Sequence, residues 1–561
     1  MFGFKENIAY GTQGFPNDPI FTRLSRLSQE RPGSIIHDEY GINASYKDLI
    51  SDVMHFRQVI REQLPATLFD DKGLLRKEAA SIAFLAFSGY HHLVCFFTIV
   101  ALGGICVPLA TTIKEEEALY FLNKTDATCV LSDTGSYDKA VAIQRYAENR
   151  AAQKISIVPI SRAGPESSPW SRLEIDEELT LPPTTACLVI FTSGTTSLPK
   201  GVLLPRQLFY YTEEPTHPAS LYLGSSPKHW VGGATGPVSS VLNGEQLHLM
   251  KDGSGPARVW EILSEGKVTE MSLSPTLFRG LREYYMDNIR DLPSECRQKY
   301  VDGAKCLETA FTSGSVLSPS VRKFFTDLTK VPIINAYGLT EMGGGVMATS
   351  AGLEFMNGCI GRPFPGVVVK LSEGDHGEIL LKSPSMFIGY IKDKAATHAA
   401  FDHEGFYKTG DRAHRVGEDY FFDGRISCDW VKIQEHMVSV LDLEQHLLDL
   451  PYVSEAYVLP ILDHESGGQL AALIRLPKQE RLGESGSINL RMIRGDLTAR
   501  GLVPYRLPTM LRILHEEEQV PQTASDKVLK KECLRKYFNI FAGSPYQYPA
   551  EGVEYWGIKL K

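Results

Sequence analysis

Short apolar runs alternate with amphipathic stretches through the first two thirds of the chain. Apolar runs of about four to eight residues are typical of buried strands, and apolar positions spaced three or four apart predict helices. Strands that alternate with helices favour an α/β protein with largely parallel sheets. The predicted strands are Ser81–Phe87, Ile105–Leu109, Ala127–Leu131, Ile155–Ile160, Cys187–Phe191 and Val331–Asn335, and the predicted helices include Glu115–Asn123 and Tyr137–Asn149.

A second, smaller set of strands and helices follows Asp423-Gly424-Arg425. We therefore predict a large N-terminal domain over residues 1–423, with helices flanking parallel sheets, and a small α+β C-terminal domain over residues 429–561. The second unit has a size typical of an independent domain, and clefts between domains are favoured ligand sites. Its predicted elements are Glu444–Leu450, Val453–Leu459, Leu470–Leu476 and Ile488–Arg500.

The most apolar stretch of the chain is Leu93–Leu109. It is shorter than the roughly 20 residues that a membrane span needs, and Gly103, Gly104 and Pro108 interrupt it. We therefore predict a buried helix, a turn and a strand, and no stable membrane span.

The 561 residues carry a formal net charge of −9, with 43% apolar and 22% charged residues, as is ordinary for a soluble globular protein. The mild negative charge argues against nucleic-acid binding. Nine cysteines are scattered without a CxxC pair, a pattern typical of free thiols in a reducing compartment. Because Met1–Asn7 also lacks the pattern of a secretory signal, we expect a cytoplasmic location.

The segment Thr192–Gly201 combines hydroxyls, glycines and one lysine directly after a predicted strand. Glycines let backbone N–H groups close around an anion, hydroxyls add donors, and the lysine adds a positive charge. This combination predicts a polyphosphate-binding loop, although its residue order differs from that of the usual P-loop. The residues expected to bind the phosphates are Thr192, Ser193, Gly194, Thr195, Thr196 and Lys200.

Five further motifs follow this loop along the chain. Together the six resemble those of the adenylate-forming superfamily, which includes acyl-CoA synthetases, luciferases and the adenylation domains of peptide synthetases. The similarity extends over nearly the whole chain, and in style it is closest to acyl-CoA synthetases of the malonyl-CoA synthetase-like subgroup. The five motifs are Thr312–Ser315, Asn335–Glu341, Tyr407–Asp411, Gly424-Arg425 and Pro521–Lys527.

The resemblance implies an ATP site whose residue types suit each contact. Tyr337 offers an aromatic face to adenine, and Asp411 and Arg425 offer an acceptor and a donor to the ribose. Thr340 is implied to donate to the α-phosphate. Glu341 is the implied Mg²⁺ ligand, because carboxylate oxygens are hard ligands. The other residues implied to bind ATP or AMP are Gly314, Ser315, Asn335, Ala336, Gly338, Phe422 and Lys527.

The implied reaction has two halves. A carboxylate is a poor electrophile, so attack on the α-phosphorus of ATP first converts it to an acyl-adenylate, mostly through positioning and charge neutralisation. Coenzyme A then takes the acyl group, which makes the protein an AMP-forming acid–CoA ligase, with secondary metabolism as a setting. A mobile C-terminal domain is implied to turn about a hinge at residues 424–428 and to present first Lys527 and then Lys432. Thr195, Lys200 and His229 complete the predicted catalytic set, and ATP, Mg²⁺ and coenzyme A are the expected cofactors.

The chain departs from the family's pattern near the acceptor thiol. It has Asp526 where glycine usually precedes the terminal lysine, and Glu435 in the loop after Lys432. Both add bulk and negative charge near an anionic ligand. The segment after the hinge arginine is also one residue longer than usual, which leaves Ser427 and Cys428 as alternative hinge residues. Two other functions therefore stay open, an acyl-AMP ligase that loads a carrier protein and a nucleotide-binding pseudoenzyme.

Two segments bear on the acid. Pro227–Gly232 aligns with the family's entry to the acyl pocket, and it contains His229 but no carboxylate to pair with an amino acid's ammonium. Ser274–Arg279 resembles the malonyl-CoA synthetase subgroup, whose arginine at this place binds a distal carboxylate. The alternative for Arg279 is a pair with Glu283 on one helix face. The expected substrate is a small carboxylic acid, with short polar or polycarboxylic acids as candidates.

Overall fold

The computed structural model describes residues 14–77, 80–162, 173–192, 198–210, 220–315, 317–350, 356–426, 429–433, 435–461, 468–477, 488–515, 517–522, 528–541 and 550–556. The first strands are β1 (Phe15–Pro16), β2 (Ser34–Asp38), β3 (Asn43–Ser45), β4 (Ser81–Leu85), β5 (Ile105–Pro108), β6 (Cys129–Asp133), β7 (Ser156–Ile160), β8 (Ile175–Asp176), β9 (Ala186–Thr192) and β10 (Lys200–Pro205). The next are β11 (Leu221–Gly224), β12 (Gln246–Leu249), β13 (Glu270–Leu273), β14 (Thr309–Ser313), β15 (Ile333–Leu339), β16 (Gly344–Ala348), β17 (Cys359–Pro363), β18 (Val368–Leu371), β19 (His376–Lys382), β20 (Gly389–Tyr390), β21 (Tyr407–Val416) and β22 (Asp419–Arg425). The last are β23 (Trp430–Ile433), β24 (His436–Ser439), β25 (Glu455–Ile461), β26 (Gln469–Arg475), β27 (Met510–Ile513) and β28 (Val553–Tyr555).

The α-helices in the same ranges begin mostly at polar caps or prolines, as Ser45 does with a capping box at α2 and Pro275 does at the start of α8. They are α1 (Pro19–Glu30), α2 (Tyr46–Gln63), α3 (Tyr90–Ala101), α4 (Glu115–Thr125), α5 (Tyr137–Ala151), α6 (Val231–Asn243), α7 (Pro256–Leu263), α8 (Pro275–Tyr284), α9 (Ser294–Ala304), α10 (Pro319–Thr329), α11 (Lys394–Ala399), α12 (Val440–Leu448), α13 (Leu490–Ala499) and α14 (Lys530–Phe538).

Two sheets form the main body of the protein. The first has the strand order β20-β10-β9-β5-β4-β6-β7, and its strands from β9 to β7 are parallel. The second has the order β18-β19-β21-β22-β17-β16-β15-β14-β13-β11-β12-β2-β3, and its strands from β15 to β2 are parallel. The carboxyl ends of the parallel strands in each sheet therefore lie along one edge, where α/β folds bind ligands.

Helix α3 is buried on all sides and contacts a strand of each sheet, β4 and β2. This burial explains why its sequence is apolar all round, with Phe96 and Phe97 fully buried. A buried ion pair lies beside it, in which the Arg206 guanidinium donates to the Asp18 carboxylate and also to the carbonyl of Val100 at 3.0 Å. The helix thus holds the two sheets together through both apolar packing and this pair.

The C-terminal part has its own sheet, β25-β26-β27-β28, and a separate hairpin of β23 and β24. Helices α12 and α13 bury one face of the sheet with residues such as Leu443, and α14 buries the other with residues such as Tyr537. Strand β22 runs through the predicted boundary to Arg425, so the large sheet ends where the small unit begins.

The sequence-based elements agree with the structure to within a few residues. The predicted strand Ala127–Leu131 lies two residues later, at β6, and the stretch Leu93–Leu109 forms a buried helix, a turn and a strand as predicted. The α/β prediction is thereby confirmed. No helix in the described ranges is long and apolar enough to cross a membrane.

Candidate active site

The two ends of the predicted phosphate loop are paired with each other. Thr192 at the end of β9 lies opposite Lys200 at the start of β10, and the Thr192 hydroxyl donates to the Lys200 carbonyl at 3.4 Å. Ser193, Gly194, Thr195, Thr196 and Ser197 lie outside the described residues. The pairing of Thr192 with Lys200 thus brings the two described ends of the predicted loop together at the carboxyl end of β9.

Lys200 leads to a cluster centred on Tyr390. The Lys200 ammonium lies 5.0 Å from the centroid of the Tyr390 ring, and the Tyr390 hydroxyl donates to Glu341 Oε1 at 2.8 Å. The hydroxyls of Tyr390 and Tyr407 are 3.4 Å apart. Burial, together with the Glu341 carboxylate, raises the pKa of both tyrosines, so both hydroxyls keep their protons as donors. The Lys200 ammonium thus lies over the ring of Tyr390, and the Glu341 carboxylate accepts from its hydroxyl.

The carboxylate of Glu341 is well placed for a metal ligand. It follows β15 in the short helical turn Thr340–Met342, and the backbone N–H of Phe387 donates to its carbonyl at 2.7 Å. Its side chain is half-buried and oriented by the Tyr390 hydroxyl. An oriented, partly exposed carboxylate near the end of the predicted phosphate loop fits the chemistry of Mg²⁺, which takes few protein ligands.

A second cluster surrounds Asp411. Its buried carboxylate accepts from Arg425 Nε at 2.7 Å and from the Tyr337 hydroxyl at 2.8 Å. Asp411 and Arg425 are paired residues of β21 and β22, so the strand register itself brings them together. Burial and Asp411 raise the pKa of Tyr337, which keeps its hydroxyl as a donor. The ring of Phe422 lies 6.2 Å from that of Tyr337 and extends the aromatic surface.

The pairing of β14 with β15 positions the remaining residues that the sequence predicts to bind the nucleotide. Ser313 is opposite Ala336, so Gly314 and the exposed Ser315 continue past the strand end beside the motif. The Asn335 amide donates to the carbonyl of Cys359 at 2.7 Å. At Gly338 a Cβ atom would lie 2.4 Å from the Gly344 carbonyl oxygen, so the close approach of β16 requires glycine there.

The predicted substrate residues lie on two different elements. His229 is half-buried in the loop between β11 and α6, with its ring 6.1 Å from that of Trp230. Arg279 on α8 forms an ion pair with Glu455 of β25 at 3.6 Å, and the charge of Glu283 on its own helix also raises the pKa of Arg279. The pair with Glu455 joins the main body to the C-terminal part, and the role of Arg279 toward substrate stays a prediction.

Asp429 connects the predicted hinge with the C-terminal part through a hydrogen bond and an ion pair. Asp429 accepts from the backbone N–H of Arg425 at 3.0 Å and from the Lys530 ammonium at 2.9 Å. Lys432 on β23 is 62% exposed, and its ammonium lies 3.8 Å from the carboxylate of Glu435. Lys527, Asp526, Ser427 and Cys428 lie outside the described residues.

Sequence reasoning missed one residue of these clusters and one buried lysine outside them. Tyr390 lies in none of the motifs, and only the register of β10 with β20 brings it to Lys200. Lys228 adjoins His229 in a segment that the sequence singled out, and its side chain is only 2% exposed. A lysine between a predicted strand and a predicted helix was the available signal, but its burial depends on tertiary packing.

Comparison with known proteins agrees with the motifs. The family model described as AMP-binding enzyme matches residues 62–391. An acyl-CoA ligase, oryP, from Aspergillus oryzae (strain ATCC 42149 / RIB 40) is 31% identical over 97% of this chain and 96% of its own. A malonate–CoA ligase from Arabidopsis thaliana is 31% identical over 78% of this chain and 74% of its own.

Solved structures share the fold. ATP-bound MatB from Rhodopseudomonas palustris superposes with a TM-score of 0.72 at 18% identity, covering 92% of this chain and 99% of that one. The anthranilate CoA ligase AuaEII, solved with anthranoyl-AMP, has a TM-score of 0.73 at 18% identity and covers 91% and 96%. The family model spans more than half of the chain and the fungal relative nearly all of it, so the chain belongs to the AMP-binding enzyme family, as its motifs predicted.

Proposed function

We propose that this protein is an ATP-dependent acid–CoA ligase that activates a small carboxylic acid as its acyl-adenylate and transfers the acyl group to coenzyme A. Its curated relatives are named as CoA ligases, including the fungal acyl-CoA ligase that matches almost the full length. The fungal relative also makes secondary metabolism a reasonable setting.

One observation supports this function above the others. Two hydrogen-bonded clusters connect the same two segments, the end of β15 and strand β21. Tyr337 reaches Asp411, and Glu341, four residues after Tyr337, lies beside Tyr407, four residues before Asp411. Motifs about 70 residues apart in sequence thus line one continuous surface at the carboxyl edge of the large sheet.

The proposed roles follow from the chemistry of each group. Asp411 and Arg425 are already oriented as acceptor and donor, so they can bind the ribose hydroxyls without rearranging. Lys200 supplies a positive charge to the phosphates, which lowers the barrier for attack by the acid's carboxylate at the α-phosphorus. Thr340 lies at the turn after β15 as a donor to that phosphate, and Glu341 would hold Mg²⁺, which neutralises phosphate charge when bound.

The acceptor in this proposal is free coenzyme A. Glu435, the departure that motivated a carrier protein, is 92% exposed beside Lys432, so in this conformation it projects into solvent. No observation in the described residues favours a carrier protein or a pseudoenzyme over the CoA ligase of the relatives' names. We further propose a cytoplasmic location, because the eight cysteines within the described residues are all free thiols.

The test is acid-dependent pyrophosphate release across a panel of mono- and dicarboxylic acids, followed by CoA-dependent formation of AMP. We expect Lys527→Ala to abolish pyrophosphate release. Lys531→Ala is the matched control, because Lys531 is an exposed lysine four residues further on. Acyl-adenylate that forms but is never consumed by coenzyme A would reject the CoA ligase and favour a different acceptor. Absence of acid-dependent pyrophosphate release from every acid would reject the enzyme.

A further inference from the structure

A cavity of about 660 Å³ lies on the outer face of the large sheet, away from the nucleotide clusters. Strands β11, β12 and β2 contribute to its floor, and α7 contributes Arg258 to its side. Strand β12 is four strands from β15 in the sheet order, which at the usual spacing is roughly 19 Å. Among the described residues that line the cavity, only Leu221 is apolar. The volume is typical of a small-molecule site, and the lining suits a charged ligand better than an acyl chain.

The floor of the cavity is the polar face of β12 and β2. Residues alternate between the two faces of a strand, so Leu247 is buried in the core while Gln246 and His248 line the cavity. His248 is paired with His37 of β2, which places two imidazoles on neighbouring strands. His37 is held by Asn43, whose amide oxygen lies 2.5 Å from its Nδ1 atom. The floor thus offers hydrogen-bonding groups on a rigid part of the fold.

Positive and negative charges around the cavity differ in their exposure. Two of the three lining carboxylates, Asp38 and Glu39, are buried and already have partners. Asp38 accepts from three backbone N–H groups, and Glu39 accepts from Arg258 Nε at 2.5 Å. The third, Glu265, pairs with the Lys267 ammonium at 3.0 Å. Because the side chains of Arg258 and Lys267 are 43% and 71% exposed, a ligand in the cavity meets more positive than negative charge.

Lys251 adds a cation whose charge is not paired. Its ammonium has no carboxylate partner among the residues that the structure describes, and it lies 5.9 Å from the centroid of the Tyr40 ring. The backbone N–H of Lys251 donates to Glu39 at 2.9 Å, which fixes the position from which the side chain extends. Ser254, three residues later, adds a hydroxyl to the lining. An anion would therefore find an available ammonium here, and since Lys251 is exposed, its desolvation would cost little.

His248 is a second lining group without a partner. Its Nε2 atom is buried and forms no hydrogen bond within the described part of the chain. The Glu39 Oε1 atom is 3.9 Å away, which is too far for a hydrogen bond. Burial lowers the pKa of His248, although Glu39 acts in the opposite direction, so the imidazole is neutral at pH 7. Buried polar atoms nearly always have a partner, so this atom indicates that a molecule in the cavity supplies one.

We propose that this cavity is a second ligand site, which binds the phosphate group of a small metabolite through Lys251 and Arg258. A phosphate monoester carries about two negative charges at neutral pH and three acceptor oxygens, so it matches a lysine and an arginine that line one open cavity. The volume accommodates a ligand as large as a nucleoside monophosphate. Because the cavity is four strands from the end of β15, its ligand is an effector and not the ATP that reacts. The site does not depend on the proposed function.

The test measures binding by calorimetry in the presence of saturating Mg²⁺ and the α,β-methylene analogue of ATP, which occupies the predicted nucleotide site. The probes are inorganic phosphate, ribose 5-phosphate and AMP. We expect one equivalent to bind to the wild type, and Lys251→Met to weaken this binding about tenfold, as loss of a charge-assisted hydrogen bond does. Lys251→Arg keeps the charge and should keep the affinity. Lys323→Met is the matched control, because Lys323 is 77% exposed on α10, and it should leave the affinity unchanged.

The three probes also distinguish two sources of the phosphate. Tighter binding of ribose 5-phosphate or AMP identifies a phosphorylated metabolite, and equal binding of all three identifies free phosphate as the ligand. Three results would overturn the proposal: no probe binds while the analogue is present, Lys251→Met binds as tightly as the wild type, or Lys323→Met weakens binding as much as Lys251→Met does. Thermal unfolding checks that each variant folds, and the folded Lys251→Arg variant separates loss of charge from loss of structure. Binding that requires Lys251 in a protein that releases no pyrophosphate would refute the proposed function and leave this site standing.

Discussion

Asp411→Asn is the substitution that best separates nucleotide binding from folding. The change keeps the shape of the side chain and removes its charge. In the protein, this carboxylate is 2% exposed and accepts from Arg425 at 2.7 Å and from Tyr337 at 2.8 Å. An amide has only one acceptor oxygen, so its NH₂ must face a donor, either within the cluster or on the ribose.

The two expected effects differ in size. A hydrogen bond to a charged group contributes about 1.5–3 kcal/mol, so loss of the ribose contact raises KM for ATP about 10- to 150-fold. Breaking a fully buried ion pair costs about 3–5 kcal/mol, but the side chain of Arg425 is 35% exposed and keeps water as a partner. The cost in folding stability is therefore smaller, about 1–2 kcal/mol.

The assay is ATP-dependent pyrophosphate release at saturating acid, with thermal unfolding measured in parallel. Asp375→Asn is the matched control, because Asp375 pairs with Arg415 on the same strand, β21, but at the surface, where the two side chains are 69% and 46% exposed. Its effect on both KM and stability should be negligible. If Asp411→Asn lowers the melting temperature and leaves KM for ATP unchanged, Asp411 is a structural residue and the ribose assignment is wrong.

Two further predictions follow from other clusters. Tyr390→Phe keeps the ring beside Lys200 but removes the hydroxyl that orients Glu341. The Mg²⁺ concentration that gives half the maximal rate should therefore rise about threefold or more in a Mg²⁺ titration. An unchanged Mg²⁺ requirement would argue against Glu341 as the ligand. Asp18→Asn leaves Arg206 charged and fully buried, so it should destabilise the protein by about 3–5 kcal/mol. Calorimetric unfolding should show this as a lower temperature of the first transition. An unchanged transition temperature would refute a stabilising role for this ion pair.

The sequence by itself determined the fold class and the family. Apolar runs such as Cys187–Phe191 are long enough to predict a buried strand without any knowledge of their neighbours, and β9 forms there. Motifs such as Tyr407–Asp411 could be recognised because their residue types suit the contacts predicted with a nucleotide. Apolar runs and motifs are both local features, so the sequence was sufficient to predict the fold class and the family.

Tertiary structure alone decided which side chains meet. Tyr390 reaches Lys200 only because β10 pairs with β20, and Arg279 meets Glu455 only because the C-terminal sheet packs against α8. Lys228 is an ordinary lysine in the sequence, and its burial results from the approach of two sheets around α3 and α6. Contacts of this kind join residues far apart along the chain, and the energy that fixes them comes from packing of whole layers, which no local pattern encodes.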